Sequence, residues 1–140
     1  MLTIREYVDA DKGAIISLWQ ETGLSRKWND PGKDIDFCTN GKASNLFVGV
    51  LDNAIIATIM TGHDGHRGVI YYLGVLPAHQ GQGYGVKMVH YAEDWLRQHG
   101  VWKLNLMIRE DNADVQNFYQ SMGYEEEPRV VMSKRLETRT

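Results

Sequence analysis

The sequence predicts an α/β layer structure, a mixed sheet with helices on both faces. Three observations carry this prediction. Short apolar runs of strand length alternate with stretches at helical spacing, in the order β-α-α-β-β-β-α-β-α-β. A glycine-rich turn joins one apolar strand directly to the longest amphipathic stretch. The 140 residues hold no repeat, low-complexity tract or long linker, so residues 1–140 read as one domain, long enough to bury a core without disulfides.

The elements follow in order. Leu2 to Val8 alternates as a strand does. Asp9 is placed to cap a helix, in which Ala14, Ile15, Leu18 and Trp19 recur at helical spacing and which Gly23 ends. Trp28 to Gly32 reads as a loop and Asp34 to Thr39 as a short second helix. Leu46–Leu51 and Ala54–Gly62 form a hairpin about Asp52-Asn53. A loop from Gly62 to Gly68 leads to the apolar run Val69–Val75. A helix then begins at Gly83 or Tyr84, with Gly85, Val89, Ala92 and Leu96 as its inner stripe, and stops at Gly100. Trp102–Ile108 reads as a strand. Asp111 or Asn112 caps a further helix that carries Val115, Phe118, Tyr119 and Met122 inward and closes at Gly123. Val130–Leu136 reads as the last strand.

Composition narrows the function. Hydrophobic residues make up 43% and charged residues 24%, as in an ordinary globular domain. The net charge of -3 and the lack of a dense basic patch argue against nucleic-acid binding. No apolar stretch approaches the length of a membrane span, and the N-terminus lacks the pattern of a signal peptide. One cysteine, Cys38, excludes a disulfide framework and fits a cytoplasmic setting. The histidines His79, His90 and His99 lack metal-ligand spacing, so no metal is expected. Trp95 and Trp102 read as packing residues around the long helix.

The chemistry concentrates between Tyr71 and Gly85. A buried strand runs into Gln80-Gly81-Gln82-Gly83-Tyr84-Gly85 and then into a helix. Glycines let the backbone approach a ligand, and the first helical turn offers free N–H groups, so the segment suits a pyrophosphate. The glycine spacing fits neither the dinucleotide fingerprint G-x-G-x-x-G nor the phosphate loop G-x-x-x-x-G-K-[ST]. Gln80-x-x-Gly83-x-Gly85 instead resembles the Q/R-x-x-G-x-G/A motif of the GNAT superfamily of N-acetyltransferases. Val75-Leu76-Pro77 before it, and Asn112, Phe118-Tyr119 and Met122-Gly123-Tyr124 after it, resemble that family's other signatures. The likeness runs from Ile4 to about Leu136 and is nearest the small single-domain bacterial members.

The resemblance implies the GNAT fold, with a mixed, mostly antiparallel central sheet. It also implies acetyl-CoA as acetyl donor and a primary amine as acceptor, of unknown identity. Gln80, Gly81, Gln82, Gly83, Tyr84 and Gly85 would hold the pyrophosphate. Leu73, Gly74 and Val75 would meet the pantetheine arm, with a strand bulge expected at Gly74. Asn112 and Tyr119 complete the cofactor side, and Tyr119 would protonate the departing thiolate. Asp64 and His66 are the candidate bases, although a polar hairpin is the simpler account of both. Trp28, Asn29 and Asp30 would line the acceptor pocket, with a helix cap before Pro31 as the other role for Asp30. A non-catalytic acyl-CoA-binding module is the competing function on the same fold. Exposed strand edges would permit a homodimer.

Overall fold

A computed structural model describes residues 1–137. The chain falls into two compact units, Met1–Met107 and Ile108–Thr140. The first holds strands β1 (Thr3–Glu6), β2 (Ser44–Leu51), β3 (Ala54–His63), β4 (Gly68–Val75) and β5 (Leu104–Asn105) and helices α1 (Lys12–Glu21), α2 (Pro31–Thr39) and α3 (Tyr84–Gln98). The strands form one sheet in the order β1-β2-β3-β4-β5. The first four run antiparallel and β5 runs parallel to β4, so the sheet is mixed and mostly antiparallel, as expected.

Local chemistry explains the connections. Asp52 and Asn53 take φ of 49° and 65°, the conformation that a two-residue hairpin needs and that Asp and Asn tolerate. Helix α2 begins at Pro31, earlier than the expected Asp34, because the Asp30 carboxylate accepts from Lys33 N at 3.2 Å and Pro31 suits the first helical position. Before α1 the capping expectation shifts. Residues Asp9–Asp11 form a 3-10 turn, and the acid that closes it is Asp11 rather than Asp9. The Asp11 carboxylate takes both guanidinium nitrogens of Arg5, at 2.7 and 3.0 Å, and the N–H of Val8 at 2.9 Å.

Alternation along β2 divides the layers. Leu46 and Val48 pack with Ile15, Leu18, Trp19, Ile35 and Cys38 of α1 and α2. The opposite parity meets α3. Phe47 sets its ring edge-on to Tyr91 and Trp95, at 4.9 and 6.2 Å, and a Cβ at Gly49 would come within 3.1 Å of Met88 Sδ. The fully buried members, Leu46, Val48, Phe47 and Met88 among them, contribute about 1.5–3 kcal/mol each. Trp95 therefore packs as expected. Trp102 does not: it is 77% exposed, with the Arg67 guanidinium 4.5 Å above its ring.

The expected strand Trp102–Ile108 shrinks to Leu104 and Asn105, paired with Gly68 and Val69. In the second unit, α4 (Ala113–Ser121) begins where Asn112 Oδ1 accepts from Val115 N at 3.2 Å. The expected strand Val130–Leu136 is irregular. It has no sheet neighbour among the described residues, so Val130, Met132 and Leu136 have no face to bury and stand 88%, 90% and 92% exposed. Among the described residues no helix is long and apolar enough to cross a membrane.

The Arg5 guanidinium beside Asp11 and the Val8 N–H hold the Asp11 carboxyl below the usual carboxylate range. A carboxyl with a lowered folded pKa stabilises above its unfolded value of about 4 and loses that contribution as pH falls below it. Asp11→Asn is expected to cost about 1–3 kcal/mol in urea denaturation at pH 7. The gap between the two proteins should close on acidification below about pH 4, and a pH-independent gap would remove the ion pair as its source.

Candidate active site

Strand β4 ends at Val75, and one 3-10 turn, Pro77–His79, carries the chain to Gln80. The Gln80 amide donates to Val75 O at 2.8 Å and ties the turn back to the strand end. Gly81 and Gly83 then take φ of 77° and 84°. A Cβ added at either would meet no atom within 4 Å, so bare backbone faces open space. Gly83 caps α3 without any side-chain acceptor, and the first N–H to bond back is that of Lys87, to Gly83 O. The N–H groups of Tyr84, Gly85 and Val86 thus form the unpaired first turn. Gln82 is exposed beside them, and Lys87 Nζ lies 6.0 Å from the Tyr84 ring centre. Open backbone, free donors and the positive helix end fit a diphosphate.

The strand that feeds this turn is bulged, but not at Gly74. Thr58 pairs with Gly74 and Met60 with Tyr71, so Tyr72 and Leu73 together oppose Ile59. Tyr72 absorbs the extra residue with φ of 52°. Gly74 has a packing reason instead: its Cβ would lie 2.8 Å from Leu24 Cδ1 and 3.2 Å from Leu18 Cδ2. Leu73 and Val75 flank it, half-buried.

Beside the bulge is a cleft of about 650 Å³. Its walls are mostly apolar, with Leu24, Phe37, Met60, Val69 and Met107, and Tyr71 and Tyr72 complete them. Two charged side chains line it, Arg26 and Asp34. The Tyr72 hydroxyl donates to Asp34 Oδ2 at 2.6 Å, and its ring stacks on Trp19 at 3.8 Å. Burial, then the adjoining Asp34, pushes the Tyr72 phenol well above its ordinary range, so it stays a donor. The Arg26 guanidinium donates to the carbonyls of Gly23 and Ser25 and has no carboxylate partner among the described residues.

Of the loop residues expected here, Asn29 lines the cleft. Trp28 is half-exposed outside its lining, and Asp30 is engaged as the α2 cap. Asp64 and His66 sit at the exposed β3–β4 tip and do not line the cleft. Asp64 Oδ1 accepts the N–H groups of His66 and Arg67 at 2.9 and 2.8 Å, which lowers its pKa and shapes the hairpin. In the second unit Tyr119 is buried against Phe118 and Tyr124, and burial pushes its phenol up to about 12. Sequence reasoning missed Arg26, Asp34 and Tyr72. The signal for two of them was Asp34 on the first turn of α2 and a tyrosine pair in an otherwise aliphatic strand. Cys38 also lines the cleft, and burial raises its thiol to about 11.

The sequence model of the acetyltransferase (GNAT) family matches residues 12–124, through both units. A Yersinia enterocolitica protein named acetyltransferase is 38% identical over 135 residues, 96% of each chain. An acetyltransferase of Pectobacterium atrosepticum is 37% identical over the same share. Among solved structures, the aminoglycoside N-acetyltransferase AAC(6')-Iy in complex with CoA superposes with a TM-score of 0.84 at 14% identity, over 97% of this chain and 95% of that one. The ribosomal-protein-S18-alanine N-acetyltransferase of Escherichia coli superposes with a TM-score of 0.77 at 24% identity, over 91% and 79%.

The positive φ at Gly83 should make Gly83→Ala destabilising by about 1–2 kcal/mol. Gly13→Ala, inside α1 where an added Cβ meets nothing, should be neutral or stabilising by up to about 1 kcal/mol. Equal effects of the two changes on urea denaturation would deny the turn its special conformation.

Proposed function

The chain belongs to the acetyltransferase (GNAT) family, and on that premise we propose that it transfers acetyl from acetyl-CoA to the primary amine of an acceptor by direct attack on the thioester. The observation that carries this is the open glycine turn between β4 and α3, bare of side chains and lined by free N–H groups. The family match through residues 12–124 supports reading both units as one N-acetyltransferase domain. A single unpaired cysteine fits a cytoplasmic setting.

Acetyl-CoA supplies an acyl carbon on a good leaving group: the amine forms N–C as C–S breaks, the ammonium gives up two protons, and the thiolate regains one. Gly81, Gln82, Gly83, Tyr84 and Gly85 would hold the diphosphate through backbone donors, with Gln80 holding the turn in place. Leu73, Gly74 and Val75 would offer strand backbone to the pantetheine arm, and Asn112 serves by capping α4. Tyr119 would give its phenolic proton to sulfur. A phenol raised to about 12 by burial is protonated at every physiological pH, as a general acid requires. The amine loses its other proton to water in this reading, because Asp64 is engaged by its own hairpin and neither it nor His66 lines the cleft.

Cys38 is the one thiol near the chemistry, but a thiol raised to about 11 holds little thiolate near pH 7. A covalent acetyl-enzyme on it is therefore disfavoured against direct transfer.

Isothermal titration should find acetyl-CoA bound and NADH not bound. Absence of acetyl-CoA binding would end the acetyltransferase reading. Tyr119→Phe should lower kcat by about 10²-fold or more with acetyl-CoA affinity nearly unchanged, and an undiminished kcat would remove the acid role. Intact-mass measurement after incubation with acetyl-CoA alone should show no covalent acetyl group. An adduct mapped to Cys38 would replace direct attack by a two-step route.

A further inference from the structure

Among the described residues Arg26 and Asp34 are the charged side chains that line the cleft, and they have opposite signs. Asp34 is fixed by α2 and by the Tyr72 hydroxyl on Oδ2, while Oδ1 takes no hydrogen bond from the described residues. Among the described residues the Arg26 guanidinium has backbone carbonyls as partners, which satisfy donors without neutralising the charge. Around this pair the wall is apolar, with Leu24, Phe37, Met60 and Met107.

These features select among amines. A polyamine would set its cations against an unneutralised guanidinium and its polar chain against apolar walls. A peptide α-amine has no carboxylate beside it to answer Arg26. A lone hydrophobic amine would satisfy Asp34 and leave the Arg26 charge without a counter-ion in a mostly apolar cleft. A free amino acid carries both charges on one carbon and can answer both residues, with its side chain left for the apolar wall.

We propose that the acceptor bound in this cleft is a free amino acid with an apolar side chain, its ammonium on Asp34 and its carboxylate on Arg26. The inference rests on the acetyltransferase reading for what happens next: the product is the N-acetylated amino acid, with CoA and one proton released. Arg26 is a specificity residue for the carboxylate, and guanidinium suits that group because it can donate two parallel N–H bonds. Asp34 draws the amine into place, and Tyr72 orients Asp34.

The test pairs three amino acids with their decarboxylated amines, which share the same side chain: L-leucine with isoamylamine, L-methionine with 3-methylthiopropylamine, and L-phenylalanine with 2-phenylethylamine. Each is titrated calorimetrically into the full chain, without donor and with CoA, and each is then assayed for thiol release from acetyl-CoA. At least one amino acid should bind tenfold or more tightly than its amine and be acetylated with the higher kcat/KM. Amines that bind as well as their amino acids, or no binding by any of the six to a protein that binds CoA, would overturn the proposal. Arg26→Gln should weaken amino-acid binding tenfold or more and leave the amines unchanged or improved. An equal loss for both sets would make Arg26 merely structural. Asp34→Asn keeps an acceptor for Tyr72 and should weaken both sets. If wild-type protein binds acetyl-CoA but shows no preference for the amino acids, this inference alone falls. If acetyl-CoA itself does not bind, the acetyltransferase reading falls and takes the inference with it.

Discussion

Tyr72 holds a left-handed backbone conformation in the middle of β4, at a cost of about 1–2 kcal/mol for a residue with a side chain. Three contacts offset that cost. The Tyr72 ring stacks on Trp19 with 12° between planes. Trp19 Nε1 donates to Thr58 Oγ1 at 3.0 Å, and Thr58 Oγ1 donates in turn to Tyr72 O at 2.9 Å. The phenol reaches Asp34 of α2. One bulged residue therefore binds α1, α2, β3 and β4 together, through the buried Trp19 and Thr58 and the half-buried Asp34. Losing the Thr58 hydroxyl would leave the buried Trp19 N–H without its acceptor, which costs more than the bond contributes.

The rest of the first unit follows from this bulge. β5 pairs with Gly68 and Val69 only, so it parts from β4 before Tyr72 is reached. Beyond the bulge Gly74 lets the strand pass close to Leu18 and Leu24 of the α1 end. The strand then stops at Val75, whose carbonyl takes the Gln80 amide, and the chain turns through two left-handed glycines into α3. The cleft opens on the side where Tyr72 and Asp34 meet. The bulge thus serves two ends, since it aims β4 at the turn and brings a phenol and a carboxylate into the cleft wall. Bulges do this because the extra residue raises local twist and redirects side chains.

The site's electrostatics depend on partners more than on residue type. Asp34, Asp30, Asp64 and Asp11 are all aspartates close to an element boundary. Asp30 caps a helix, Asp64 folds a hairpin and Asp11 answers Arg5, so backbone or guanidinium donors occupy them. Asp34 meets one phenol and keeps an oxygen for the cleft. Spacing in the chain cannot separate these four, because the distinguishing donors arrive from other elements.

What the sequence determined by itself was local and periodic. The hairpin at Asp52-Asn53, the glycine turn, the capping of α4 by Asn112 and the inner stripe of α3 each depend on residues within a few positions, and each was legible. Helices on both sheet faces followed from the order in which strand-like and helix-like stretches alternate. The tertiary structure decided the remainder. A strand exists only if a neighbour supplies its ladder, so Trp102–Ile108 shortened to two residues and Val130–Leu136 stayed irregular despite a strand-like pattern. The bulge moved from Gly74 to Tyr72 because a flexible backbone mattered less than the contacts of Trp19, Thr58 and Asp34, which lie 53, 14 and 38 residues away in sequence from Tyr72. Arg26 and Asp34 came to line one cleft for the same reason: only folding brings an α1–α2 loop and a helix face together.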